Sequence, residues 1–166
     1  MVGICLSQDL IKILENKDIN PLSDYIPAYG GESAGLDLFN CGPTIHIRPA
    51  NYKIEVDKSL QKVLIPTGIR IDVPRGYVAL IQERGSVTKT PLKVRAGVID
   101  SGYTGEIFVN CINTGNDVYT IYEKNKLPFQ IVVVKCDNDF KVVSEEEYVE
   151  LTTSAQRQDG QVGSSD

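Results

Sequence analysis

The sequence predicts an all-β fold, an antiparallel sandwich or barrel with at most one short helix, on three observations. From residue 33 onward the chain is a series of short runs rich in β-branched and aromatic residues. Gly and Pro turns divide those runs at near-regular spacing, as in sandwiches and barrels. At 166 residues, 42% hydrophobic and 23% charged, the chain suits one soluble domain, long enough for an ordinary core.

Taken in order, the first thirty residues are mixed. The run DLIKILENKDIN has a periodicity that suits a strand or a short helix, and both readings stay open. Pro21 and Pro27 then impose an extended or irregular path. Strands are predicted over 36–39, 44–47, 63–65, 69–73, 77–82, 107–112, 118–122 and 130–136. Ser144 with Glu147 has the form of a helix capping box, set beside a β context. No tandem repeat is evident. Domain assignment follows: residues 1–150 form the β body, and 151–166, TTSAQRQDGQVGSSD after Leu151, form a polar tail that should be mobile in isolation.

Composition excludes several function classes. A net charge of −5 argues against general nucleic-acid binding, which needs a basic face for phosphates. A small polyphosphate needs only a few local cations and a divalent metal. No stretch reaches membrane-spanning length, and the start, MVGICLSQDLIK, lacks the basic and apolar regions of a signal peptide. Cys5, Cys41, Cys111 and Cys136 form no CxxC pair, and with a single histidine they make a poor zinc site. Free thiols in a reducing compartment are the simpler reading, so the expected location is the cytoplasm, or the host cytoplasm or nucleus for a viral chain, and not the secreted space. His46 alternates with Ile45 and Ile47 as a solvent-facing strand residue does, which leaves a carboxylate as the expected general base.

The stretch that concentrates chemistry is RAGVIDSGYTGEI, residues 95–107. Extended, apolar Val98, Ile99 and Ile107 bracket Asp100 and Tyr103, read as facing one cleft from a hairpin. Glycines at 97, 102 and 105 permit a close approach to the main chain. By spacing alone this is an ordinary β-turn.

The wording of that stretch, however, resembles the third motif of the trimeric dUTP pyrophosphatases, the dUTPases, and further motifs follow in order. Ala34-Gly35-Leu36-Asp37-Leu38 resembles the first. The run PTGIRIDVPRGYVALI resembles an architectural hairpin of the family, from Pro66-Thr67-Gly68 to Pro74-Arg75-Gly76-Tyr77. ERGSV resembles the second motif, Arg-Ser-Ser or Arg-Ser-Gly opening a short helix, but Gly85 stands where the family has its phosphate-contacting serine and Ser86 comes one place later. In KLPFQIVVV, Gln130 matches the fourth motif while the residues before it do not. RQDGQVGSS resembles the fifth, with Val162 in place of the phenylalanine that stacks on the base. The match covers roughly residues 25–166.

The resemblance implies a jelly-roll-like subunit in a homotrimer, with active sites at subunit interfaces. It implies hydrolysis of dUTP to dUMP and pyrophosphate, assisted by Mg²⁺ on the triphosphate. Asp100 would order the attacking water, and Tyr103 would pack under the deoxyribose and leave no room for a 2′-hydroxyl. Main-chain groups around Gly97 and Ile99 would read the base. Arg84, Gly85 and Ser86 would meet the phosphates, with a helix N-terminus as anion site, and Gln130 would be a further substrate-binding residue. Asp37 would support the metal indirectly, through water. Arg157, Val162, Gly163 and Ser164 would close as a lid, with Arg157 on the γ-phosphate. Two other classes stay open. One is a dCTP deaminase or bifunctional enzyme of the same fold, whose catalytic Glu would fall at Asn110. The other is a weakly catalytic, nucleotide-switched binding protein.

Overall fold

The computed structural model describes residues 2–21, 24–25, 32–50, 63–137 and 139–153. Among these residues eleven strands and two α-helices run in the order β1 (Gly3–Leu6), α1 (Gln8–Glu15), β2 (Leu36–Phe39), β3 (Ile45–Ile47), β4 (Val63–Pro66), β5 (Ile69–Asp72), β6 (Tyr77–Glu83), a 3₁₀ turn (Gly85–Lys89), β7 (Leu92–Arg95), β8 (Val98–Ile99), β9 (Phe108–Asn113), β10 (Tyr119–Ile121), β11 (Lys126–Lys135) and α2 (Glu145–Thr152). The strands form a four-stranded sheet β2–β11–β6–β8, a three-stranded sheet β4–β9–β7, and the two-stranded pairs β1–β5 and β3–β10. Every ladder between these strands is antiparallel, as the all-β expectation requires.

The core follows from alternation. In β9, Val109, Cys111 and Asn113 are buried while Phe108, Asn110 and Ile112 turn outward, and β5 buries Ile69 and Ile71. Phe39, Phe129, Leu38, Ile65 and Leu92 fill the interior between the sheets. Asn113 survives burial because its side-chain amide donates to Ile47 O and Asp117 O, at 2.9 and 2.7 Å. Burial also pushes the Cys111 thiol up to about 12, so it stays protonated and inert near neutrality.

Two helices replace the expected maximum of one. The ambiguous early run is helical because the Ser7 hydroxyl accepts from Leu10 N, and because Leu10, Ile13 and Leu14 share one face that the core buries. Leu14→Ala should therefore cost roughly 2–5 kcal/mol. Urea unfolding should show the loss as a lower midpoint at unchanged m. The second helix starts where the capping box predicts, with Ser144 Oγ accepting from Glu147 N at 3.2 Å, and buries no residue. It runs through Thr152, so the first two residues assigned to the tail are helical. Residues 154–166 lie outside the described residues.

Two short strands, β1 and β7, escaped the pattern reading, and the long β11 was cut short by it. Strand β1 has only four residues and is recruited by β5, with Gly3 opposite Asp72 and Leu6 opposite Ile69. Strand β7 pairs along β9. Strand β11 begins at Lys126 rather than 130 because a bulge absorbs Pro128: Lys126 lies opposite Phe39, Gln130 opposite Asp37. Both expected hairpins are also corrected. Strands β4, β5 and β6 enter three different sheets, and β8 pairs with β6 while β9 pairs with β4 and β7. The connections are corners between layers, locked by buried hydrogen bonds: Thr67 Oγ1 donates to Ile107 O at 2.7 Å, and Ile107 N to Ile69 O at 2.8 Å. These corners set where the third-motif stretch stands.

Candidate functional site

At the end of β6 three of the predicted residues converge. Arg84 follows Glu83 directly, and its main-chain N–H donates to Pro128 O at 2.9 Å, which ties it to the β11 bulge. Its Nε meets Asp37 Oδ1 at 2.5 Å, and its Nη1 donates to Leu127 O at 3.4 Å. Lys126 Nζ pairs with the other carboxylate oxygen of Asp37. Asp37 is therefore a part-buried anion held between two cations, on a strand whose backbone is also tied down, since Tyr25 donates its phenol O–H to Asp37 O. Burial first, and the Asp37 carboxylate second, raise the Tyr25 phenol, so it remains a donor.

Gln130 lies opposite Asp37 on one side and Gln82 on the other, half-buried within β11. Its amide donates to Glu83 O at 3.3 Å. A Cβ on Gly35 would collide with that amide, so the small residue before Asp37 makes the room. First, second and fourth motif positions thus form one cluster. The second motif opens a five-residue 3₁₀ turn with Arg84 at its N-cap. Gly85 and Ser86 are exposed, and their N–H groups, in the first turn, have no intrahelical acceptor. A Cβ added at Gly85 would meet nothing within 4 Å.

Asp100 and Tyr103 form a second group. Tyr103 N donates to Asp100 O at 3.2 Å, and Gly102 has φ 86°, the positive value that a type II turn places between them. Gly97 is needed for close packing, since a Cβ there would lie 2.8 Å from Ile81 O. Ile99 is buried and aligned with Ala79. The Tyr103 ring lies over Gly105, its hydroxyl donating to Glu106 O at 3.0 Å, and it remains 47% exposed. Tyr103 lines an open cleft with Gly102, Thr104 and the β1–β5 ribbon. Asp100 is exposed, and its carboxylate has no hydrogen-bond or ion-pair partner among the described residues. The two carboxylates differ sharply: Asp37 is occupied twice, Asp100 is free to accept.

The two groups do not meet within one chain. Ile99 is in register with Ala79 and Val98 with Leu80, so β8 runs toward the start of β6 and delivers Asp100 there, whereas Arg84 lies past its end. At about 3.3 Å per residue, Ala79 and Arg84 are separated by ~17 Å along the strand. Arg157, Val162, Gly163 and Ser164 lie outside the described residues.

Sequence reasoning missed Lys126 and Tyr25. The lysine was visible just ahead of the fourth motif, but the bulge that turns it toward Asp37 is not a sequence pattern.

Comparison with known proteins bears on the same residues. A family model described as dUTPase matches residues 25–166. The deoxyuridine 5′-triphosphate nucleotidohydrolase of Escherichia phage T5 is 36% identical over 130 residues, covering 74% of this chain and 82% of that protein. The enzyme of the same name from Finegoldia magna is 33% identical over 156 residues, 92% of this chain and 96% of that one. Among solved structures, the native dUTPase of EIAV aligns with TM-score 0.56 at 29% identity, over 69% of this chain and 86% of that one. A mutant dUTPase from phage phi11 of S. aureus, described with a structural Mg(II) ion, aligns with TM-score 0.63 at 21% identity, over 87% and 97%. At that identity the likeness speaks to fold alone.

Proposed function

The chain belongs to the dUTPase family, and from that premise we propose that it hydrolyses dUTP to dUMP and pyrophosphate. What carries the reading is the family match, which runs from residue 25 to 166 and so spans all five motif positions.

Asp100 is the general base. Its carboxylate is exposed and, among the described residues, unpaired, so it can accept a hydrogen bond from a water and orient it toward the α-phosphorus. The water oxygen attacks in line, Asp100 takes its proton, and the bond from the α-phosphorus to the bridging oxygen breaks, releasing pyrophosphate. Arg84, the main-chain N–H groups of Gly85 and Ser86, and Gln130 hold the phosphates, where preorganised donors meet charge without reorganising. The exposed Ser86 hydroxyl substitutes for the family serine. Tyr103 packs against the sugar, and backbone groups of Gly97 and Ile99 pair with the base.

Among the described residues no group of three His, Cys, Asp or Glu side chains is placed to hold a metal ion. Asp37, whose oxygens keep lone pairs beyond their ion pairs, would hold a Mg²⁺ indirectly, through water. When bound, the ion neutralises phosphate charge. It also accounts for an acidic chain accepting an anionic substrate.

Because Asp100 and Arg84 are carried at opposite ends of β6, a complete site takes them from different copies, which supports a homotrimer with sites at its interfaces. The 151–166 tail is the lid, Arg157 its phosphate clamp, and Val162, Gly163 and Ser164 its closure over the nucleotide. Val162 supplies less contact than an aromatic ring. No described helix is long and apolar enough to cross a membrane.

The test is a panel of the common dNTPs and UTP with Mg²⁺, reading pyrophosphate and ammonia. Pyrophosphate from dUTP alone is the expected result; ammonia from dCTP would assign the deaminase branch instead. In the same panel Tyr103→Ala should admit UTP, narrowing the dUTP-over-UTP ratio of kcat/KM by about tenfold or more, because the ring is the steric barrier. An unchanged ratio removes that role.

A further inference from the structure

The Asp37 carboxylate is shared by two cations, and only one of them, Arg84, belongs to a matched motif position. We propose that Lys126 is a second phosphate-binding cation of this site. The proposal rests on the dUTP reading and deepens it.

Leu127 is 1% exposed and Phe129 is fully buried, both pointing into the core. Alternation along β11 then puts Lys126, Pro128 and Gln130 on the opposite face, the one that bears the site. The register shift between Lys126 and Gln130 accommodates the prolyl residue and leaves Lys126 opposite Phe39, within reach of Asp37.

Charge and donor counts favour a ligand beyond Asp37. Among the described residues one carboxylate pairs with two cations, so this ion-pair cluster carries one positive charge in excess within an otherwise acidic chain. An ammonium carries three donors and Asp37 accepts one, which leaves two for phosphate oxygens. The Lys126 side chain is 42% exposed, against 22% for Arg84, so it can turn outward without opening the core. Asp37 parks both cations at a fixed spacing before substrate arrives, which lowers the ordering cost of binding.

A structural partner of Asp37 would matter equally for any nucleotide, whereas a phosphate-binding cation should matter in proportion to phosphate count. Calorimetry on the full-length chain with the α,β-imido analogue of dUTP and with dUMP separates the two. For Lys126→Ala the analogue should bind about tenfold more weakly while dUMP changes less than about twofold, and Lys126→Arg should recover most of the loss. The salt dependence of analogue binding should also flatten in Lys126→Ala, as one cation fewer meets the phosphates. Equal weakening of both ligands, or no weakening of either, overturns the assignment, as does failure of the arginine variant where Lys126→Ala has an effect. A wild-type chain that binds neither ligand and leaves dUTP intact overturns the parent reading and this assignment together.

Discussion

Asp100→Asn is expected to lower kcat for dUTP on the order of 10²–10⁴-fold while binding of the imido analogue stays within a few-fold of wild type. The substitution keeps the volume of an exposed side chain that makes no hydrogen bond or ion pair among the described residues, so neither fold nor turn is disturbed. It removes only the ability to take a proton from water. Stopped-flow release of pyrophosphate and calorimetry on the same preparation give both numbers. Near-normal turnover would shift the base elsewhere, and Asp37 is poorly suited: both its oxygens are engaged by cations, which leaves it little freedom to orient a water.

How far this molecule was legible before folding differs by scale. Strand identities were readable wherever β-branched residues alternated between turns, as in Ile69–Asp72 and Phe108–Asn113, because burial of one face imposes period two. Pairings were not. Two stretches that read as hairpins are corners between sheets, since what holds Thr67 and Ile107 together is a buried hydroxyl and main-chain bonds with no signature in local sequence. The early helix was ambiguous because eight residues give little more than two turns, and only its burial against the sheets settles the choice. At the site, motif residues could be named from wording alone, yet their division into two groups could not. It follows from the register of a two-residue strand, Val98–Ile99, against β6. Lys126 was hidden for a related reason: a bulge changes which neighbour a side chain meets without changing its place in the chain.

That division into two groups yields the second large effect. Asp100→Asn and Arg84→Gln should each be nearly inactive alone, yet a mixture, unfolded and refolded together, should regain activity. If the site draws Asp100 from one copy and Arg84 from another, random assembly of equal amounts restores on the order of one quarter of sites: half have an intact acid, and half of those an intact arginine. If both residues served the same site from one chain, no mixed assembly would contain a complete set, and activity would stay at the sum of the parents. The register supports the first outcome, because ~17 Å of strand stands between Ala79, beside Asp100, and Arg84, too far for both to engage one triphosphate α-centre and its flanking oxygens. Arg84→Gln keeps much of the side-chain stem and its packing, and Lys126 continues to neutralise Asp37, so loss of folding is not expected to blur the result. Activity against the molar ratio of the two variants should rise to a maximum at equal amounts, whereas activity that stays flat across the series would place the whole site within one subunit.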